Sequence, residues 1–143
     1  MKKELGKPKI LLDTKPLIRF FAGEEGWDAV KRLLLRIEAG QVEAVISVVT
    51  LTEIYYKYLR ENRPELAKTR TDQLRWALYL KKLPVMEDTA LKAGEFKGKY
   101  GVPIADALIA ATAYLDGSTI ISDDPDFKRI IEVETETEKE FLS

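Results

Sequence analysis

The sequence predicts an α/β sandwich, three layers deep around a mostly parallel sheet, and three observations carry that reading. Short runs such as KILL and VEAVISVV are apolar on nearly every residue, as in strands covered on both faces. Between the runs lie longer stretches whose apolar residues recur at helical spacing. Strand and helix alternate along the chain, the order that builds crossovers between parallel strands.

Lys9–Leu12 is the first strand and ends at Asp13. Pro16 suits the first turn of a helix that continues to Gly23. Trp27, Val30, Leu33, Leu34 and Ile37 mark a second helix, stopped at Gly40. Val42–Val49 is β-branched and reads as the second strand, and Thr50 opens a helix to about Asn62. Pro64 starts another helix running to about Lys81, and Pro84-Val85-Met86 has the look of a very short strand. Asp88 caps a helix ending near Gly101. Pro103 begins IADALIAATAYL, which Gly117 terminates. Thr119–Ile121 is a strand, Pro125–Ile130 a short helix, and IEVETE alternates like an edge strand. With no repeat and no linker, 143 residues make one domain, 1–143.

Composition removes several chemistries. The chain has no cysteine and no histidine. Disulfides, thiolate metal sites, Ser-His-Asp triads and imidazole catalysis are therefore excluded. A metal ion here must be held by oxygen, which favours Mg²⁺ or Mn²⁺. No apolar run reaches the roughly 20 residues that span a bilayer, so the expected setting is cytoplasmic, away from membranes. Net charge is −1, yet the charges are segregated. Lys57 to Lys82 carries eight basic and three acidic residues, whereas Gly117 onward carries three basic and eight acidic. Such asymmetry suits a polyanion on one side and cations on the other.

The acids fall at telling places. Ligands of open parallel sheets sit beyond the C-terminal strand ends. Asp13 follows the first strand, Glu53 lies in the first turn of the helix after the second, and Asp124 and Asp126 lie past Thr119–Ile121. Asp106 joins them only if the Lys99–Pro103 loop brings its helix start round to that edge. Each acid also has a purely structural reading. Thr50-Leu51-Thr52-Glu53 matches a capping box, Asp124 before Pro125 is a natural N-cap, and Asp106 complements a helix dipole. Asp106 strains that reading most. Its helix carries five alanines between 105 and 113 and no Lys or Arg, so it is expected to be buried. An ionised carboxylate there costs several kcal/mol unless a cation joins it.

KILLDTKPLI, ISVVTLTEI and PIADALIAATAYLDGSTIISDDPDF together resemble the PIN-domain nucleases, most nearly the VapC-type toxins. The resemblance covers almost the whole chain. It implies an acidic quartet of Asp13, Glu53, Asp106 and Asp124, with Asp126 as an auxiliary metal-binding acid beside Asp13, Asp106 and Asp124. It also implies that the Thr14 and Ser122 hydroxyls hold carboxylates in place. The implied activity is Mg²⁺- or Mn²⁺-dependent cleavage of RNA, leaving 5′-phosphate and 3′-hydroxyl ends. The implied partners are an antitoxin that inserts a side chain into the acidic site and a second copy of the chain. Lys15-Pro16 departs from the small or aliphatic residues more usual in the family, and Asp123 is expected to be exposed.

Lys15, Arg19, Lys57 and Arg60 are candidates to hold the RNA backbone. Phosphate contacts of this kind position a strand without reading its sequence. Tyr55, Tyr56 and Tyr58 cannot all face the core, so among them a dimer or partner contact stands beside plain packing as a reading. Three other functions fit less of the sequence. They are a PIN nuclease of RNA maturation, a receiver-like phosphoacceptor, and a PIN fold that binds RNA or protein without cutting.

Overall fold

The computed structural model describes residues 6–143, and the elements below are those of the described residues. Five strands form one sheet: β1 (Lys9–Leu12), β2 (Glu43–Ser47), β3 (Leu80–Leu83), β4 (Thr119–Ile121) and β5 (Thr135–Glu136). Their order is β3-β2-β1-β4-β5, and every pairing is parallel. The helices are α1 (Thr14–Ala22), α2 (Trp27–Glu38), α3 (Val48–Arg60), α4 (Pro64–Arg75), α5 (Glu87–Tyr100), α6 (Ile104–Asp116), α7 (Pro125–Lys128) and α8 (Glu138–Leu142).

Strand alternation sorts the core into two layers. Ile10, Leu12, Ala44, Ile46, Leu80 and Ile121 face one side, against Leu17 of α1, Leu33 and Ile37 of α2, Ile54 of α3 and Leu74 of α4. Leu11, Val45 and Ile120 face the other, against Phe96 of α5, Ala107, Ala110 and Ala111 of α6, and Phe127 of α7. The alanines let α6 lie close on the sheet, and Phe96 fills the space behind it. This is the three-layer α/β/α arrangement that the sequence predicts.

Several elements differ from the sequence reading. The α4 helix stops at Arg75, and Leu80–Leu83 pairs with β2 from Ala44↔Leu80 to Ser47↔Leu83. The strand thus lies just before Pro84-Val85-Met86, because ladder hydrogen bonds outweigh a weak local helical pattern. Lys81 and Lys82 on this edge discourage pairing with another chain. The α3 helix starts at Val48, capped by the Ser47 hydroxyl, which accepts from the Val49 amide at 3.0 Å. Glu53 therefore lies in the second turn rather than the first, and no capping box forms there. Finally, Thr137 and Glu140 form a capping box that opens α8, whose Phe141 and Leu142 pack on the first core layer.

Sheet order creates the site. β2 and β3 extend the sheet to one side of β1, while β4 and β5 extend it to the other. Chains leaving β1 and β4 diverge, opening a crevice at their C-terminal ends. Asp13 lies at the end of β1, with its amide bonded to the Ile121 carbonyl of β4 at 3.2 Å.

Candidate functional site

Asp13, Glu53, Asp106 and Asp124 converge on this crevice, lining a cleft of about 460 Å³ with Thr14, Lys15, Ile18, Tyr56, Lys57, Arg60 and Glu61. A cleft of similar size between α1, α2 and α4 is lined by Leu17, Phe20, Phe21 and Leu74 and no carboxylate. Of these two clefts, carboxylate chemistry therefore belongs to the first.

Each acid is placed by its own device. Asp13 occupies the N-cap position of α1, yet its carboxylate makes no capping bond. It accepts instead from the fully buried Ser122 hydroxyl at 2.8 Å, and Ser122 Oγ accepts from the Asp124 amide at 3.0 Å. Asp124 caps α7 with Oδ1, which accepts from the Asp126 amide at 3.0 Å. Its Oδ2 is left to the cleft and lies 3.1 Å from Lys15 Nζ. Glu53 Oε1 accepts from the Thr14 hydroxyl at 2.5 Å, and the Thr14 and Thr50 hydroxyls lie 3.0 Å apart. Thr14 and Ser122 thus each donate a hydroxyl hydrogen bond to a carboxylate of the cleft.

Asp106 arrives through the turn between α5 and α6. Gly101 ends α5 at φ +67°, a left-handed conformation that glycine adopts without strain. The reversal starts α6 beside the acids, so the condition placed on the Lys99–Pro103 loop is met. Carboxylate oxygens of Asp106, Asp124 and Asp126 come within 4.8 Å of one another. Arg129 pairs with Asp126 at 3.3 Å and Lys15 with Asp124. Among the described residues, no cation forms an ion pair with Asp106.

Electrostatics follow from that crowding. Burial, aided by Asp124, Asp13, Glu53 and Asp126, raises the Asp106 carboxyl from its ordinary range to about 7. Burial likewise lifts Asp13 to about 6, against the lowering effect of the Ser122 and Thr14 hydrogen bonds. Both acids ionise only at higher pH than an ordinary carboxylate, and a cation beside them would favour the charged form. The donor set is oxygen only, crowded and short of positive charge, which fits a hard divalent cation such as Mg²⁺ or Mn²⁺.

A stability profile tests this. Asp13 and Asp106 hold protons more tightly folded than unfolded, so without divalent ions their contribution is fullest below about pH 4 and is lost as pH rises through 6 to 7. Glu132, held near 2 mainly by Lys99, acts oppositely but only below its ordinary 4.5. Urea unfolding in EDTA is expected to give a stability at pH 7.5 lower than at pH 5 by roughly 2 kcal/mol, since each pKa unit is worth about 1.4 kcal/mol and solvent screening reduces the share of the half-buried Asp106. A flat profile would contradict the buried, unpaired state of these acids.

The basic candidates divide. Lys15, Lys57 and Arg60 line the cleft. Arg19 does not; it pairs with the exposed Asp123 at 3.2 Å and with the buried Glu138. The guanidinium expected near the RNA is thus engaged by one surface carboxylate and one buried carboxylate. Tyr58 is in the core, Tyr55 and Tyr56 are exposed, and Tyr56 sits on the cleft wall. Tyr56 went unread as a cleft residue, although it lies three positions from Glu53 and so on the same helix face.

An open parallel sheet with carboxylates gathered at its switch point defines a class of α/β domains built around an acidic, cation-seeking crevice. The PIN domain pattern matches residues 10–133, and the chain belongs to the PIN-domain family. No curated protein matches it. Among solved structures it is similar to DNA-bound VapBC from Salmonella typhimurium, at 21% identity and TM-score 0.72, covering 92% of this chain and 98% of that one. It is also similar to VapC20 from Mycobacterium tuberculosis, described as a Sarcin-Ricin loop cleaving toxin, at 21% identity and TM-score 0.69. There the match covers 87% of this chain and 98% of the other. VapBC2 from Rickettsia felis matches at 18% identity and TM-score 0.71, covering 90% and 98%. Among the described residues no helix is long and apolar enough to cross a membrane.

Proposed function

We propose that this chain is an Mg²⁺- or Mn²⁺-dependent endoribonuclease and the toxin of a type II toxin–antitoxin pair. The observation that carries this reading is the convergence of four acids from separate elements on one crevice, with no cation among the described residues paired to Asp106. Asp13, Asp106, Asp124 and Asp126 would hold the ion. Bound there, a divalent ion supplies Lewis acidity and neutralises charge on the phosphodiester under attack.

The remaining work falls to the chain's own side chains. Glu53, fixed through one oxygen by Thr14, orients the attacking water and accepts its proton with the other. Water attacks phosphorus and the 3′ oxygen leaves, taking a proton from solvent water, to give 3′-hydroxyl and 5′-phosphate ends. Ser122 keeps the Asp13 carboxylate aimed into the cleft. Lys57 and Arg60 hold the RNA backbone on the α3 wall, and Tyr56 offers a ring beside them on which a base can stack. The proposed protein partners are an antitoxin and a second copy of the chain. Support for the former comes from the neighbours described as VapBC, toxin–antitoxin assemblies.

The test is cleavage of structured RNA by purified protein. Cutting with Mn²⁺ or Mg²⁺, lost in EDTA and restored by adding the ion back, is the expected result. Equal cleavage in EDTA would end the metal-dependent reading.

A further inference from the structure

The cleft already contains a cation, and it belongs to the chain. Lys15 lies in the first turn of α1, two residues from Asp13, and its ammonium sits 3.1 Å from Asp124 Oδ2. The other Asp124 oxygen is committed to the Asp126 amide. Oδ2 is thus the oxygen with which Asp124 can meet an ion, and Lys15 stands on it. The lysine side chain is 56% exposed whereas that of Asp124 is 11% exposed. The acid is fixed and the ammonium is free to leave.

We propose that Lys15 is a tethered counter-ion: it holds Asp124 in the metal-free protein and competes with the divalent ion for that carboxylate. This deepens the metal-dependent reading above and rests on it. An ammonium and a divalent ion repel strongly when they share one carboxylate oxygen away from bulk water. Loading the ion therefore displaces Lys15, and metal affinity is set below what the carboxylates alone would give. Asp126 is not governed in the same way, because Arg129 approaches it from its own helical turn at the surface. Lys57 and Arg60 line the same cleft, but Lys57 pairs with Glu61 and Arg60 lies over the Tyr56 ring. Neither occupies a carboxylate of the quartet.

Lys15→Met keeps most of the length of the unbranched side chain and removes its charge. Mn²⁺ binding without RNA, followed by electron paramagnetic resonance at pH 7.5, is expected to tighten about tenfold, the lower end of what a contact charge does to a carboxylate's proton affinity. Arg60→Met removes a charge from the same cleft without touching an acid and is expected to change Mn²⁺ affinity less than threefold. A second readout is thermal. In EDTA the Lys15→Met protein melts below wild type, because Asp124 loses its partner, and saturating Mn²⁺ raises its melting temperature by more than it raises wild type's. Equal Mn²⁺ affinity in Lys15→Met and wild type overturns the proposal, as does an equal gain from Arg60→Met. Wild type that binds no Mn²⁺ overturns the metal-dependent reading itself, and the two failures are thereby distinguished.

Discussion

Asp106→Asn is expected to lower RNA cleavage by roughly 100-fold or more, since losing even a group behind a metal ligand commonly costs 10–100-fold. The same change is expected to stabilise the protein when no divalent ion is present. Burial and four neighbouring carboxylates lift the Asp106 carboxyl to about 7, so at pH 8 the folded chain holds an ionised group that folding disfavours. An amide of the same shape carries no such charge. Asp106 is only half-buried, so solvent screening reduces the effect, and a gain of about 1 kcal/mol is a fair expectation. That corresponds to roughly 3 °C in melting temperature for a domain of this size. The gain is complete at pH 8, above the folded value, and shrinks toward pH 4, where Asp106 is neutral in the folded chain. Cleavage assays together with melting curves in EDTA at both pH values check it. An Asp106→Asn protein that melts below wild type at pH 8 would mean the carboxylate stabilises the fold.

The distribution of what could be read from sequence has physical reasons. β1, β2, β4 and α6 were legible because both faces of the strands are covered and the helix is nearly all apolar, so burial wrote itself into composition. The placement of Asp13 and Asp124 followed from topology alone, since strand ends in a parallel sheet share an edge. Asp106 was harder: its position depends on the left-handed turn at Gly101, a tertiary reversal that helical periodicity does not encode. The strand read at Pro84-Val85-Met86 lies a few residues earlier as β3, because LKKL carries one apolar residue at each end and owes its conformation to the β2 ladder. Glu53 looked like a capping residue because Thr-x-x-Glu is a helix-start pattern. Ser47 took the cap instead, and that freed the carboxylate for Thr14. The same pattern at Thr137 and Glu140 did mark a real helix start. The motif is local, and only the surrounding packing decides which instance is used.

Arg19 was a candidate for the RNA backbone on the grounds of charge and nearness to Asp13, and its environment leads to a different expectation. Its guanidinium bridges Asp123 at the surface and Glu138 beneath, tying the start of α8 to α1. Glu138 is buried, and its second oxygen, Oε2, has no hydrogen-bond partner among the described residues. Arg19→Met would leave that carboxylate underground without any cation. Removing one member of a buried pair typically costs 3–5 kcal/mol, because the charge left behind is uncompensated. A stability loss of about 3 kcal/mol in urea unfolding is expected. It should be accompanied by faster amide exchange in α8, whose Phe141 and Leu142 would lose their hold on the first core layer. Adding Glu138→Gln to Arg19→Met should recover much of the loss, since the amide has no charge to strand. RNA affinity, by contrast, should change little at temperatures where the variant is folded. An RNA-binding defect in a fully stable Arg19→Met protein would restore the backbone-contact role and refute the structural one.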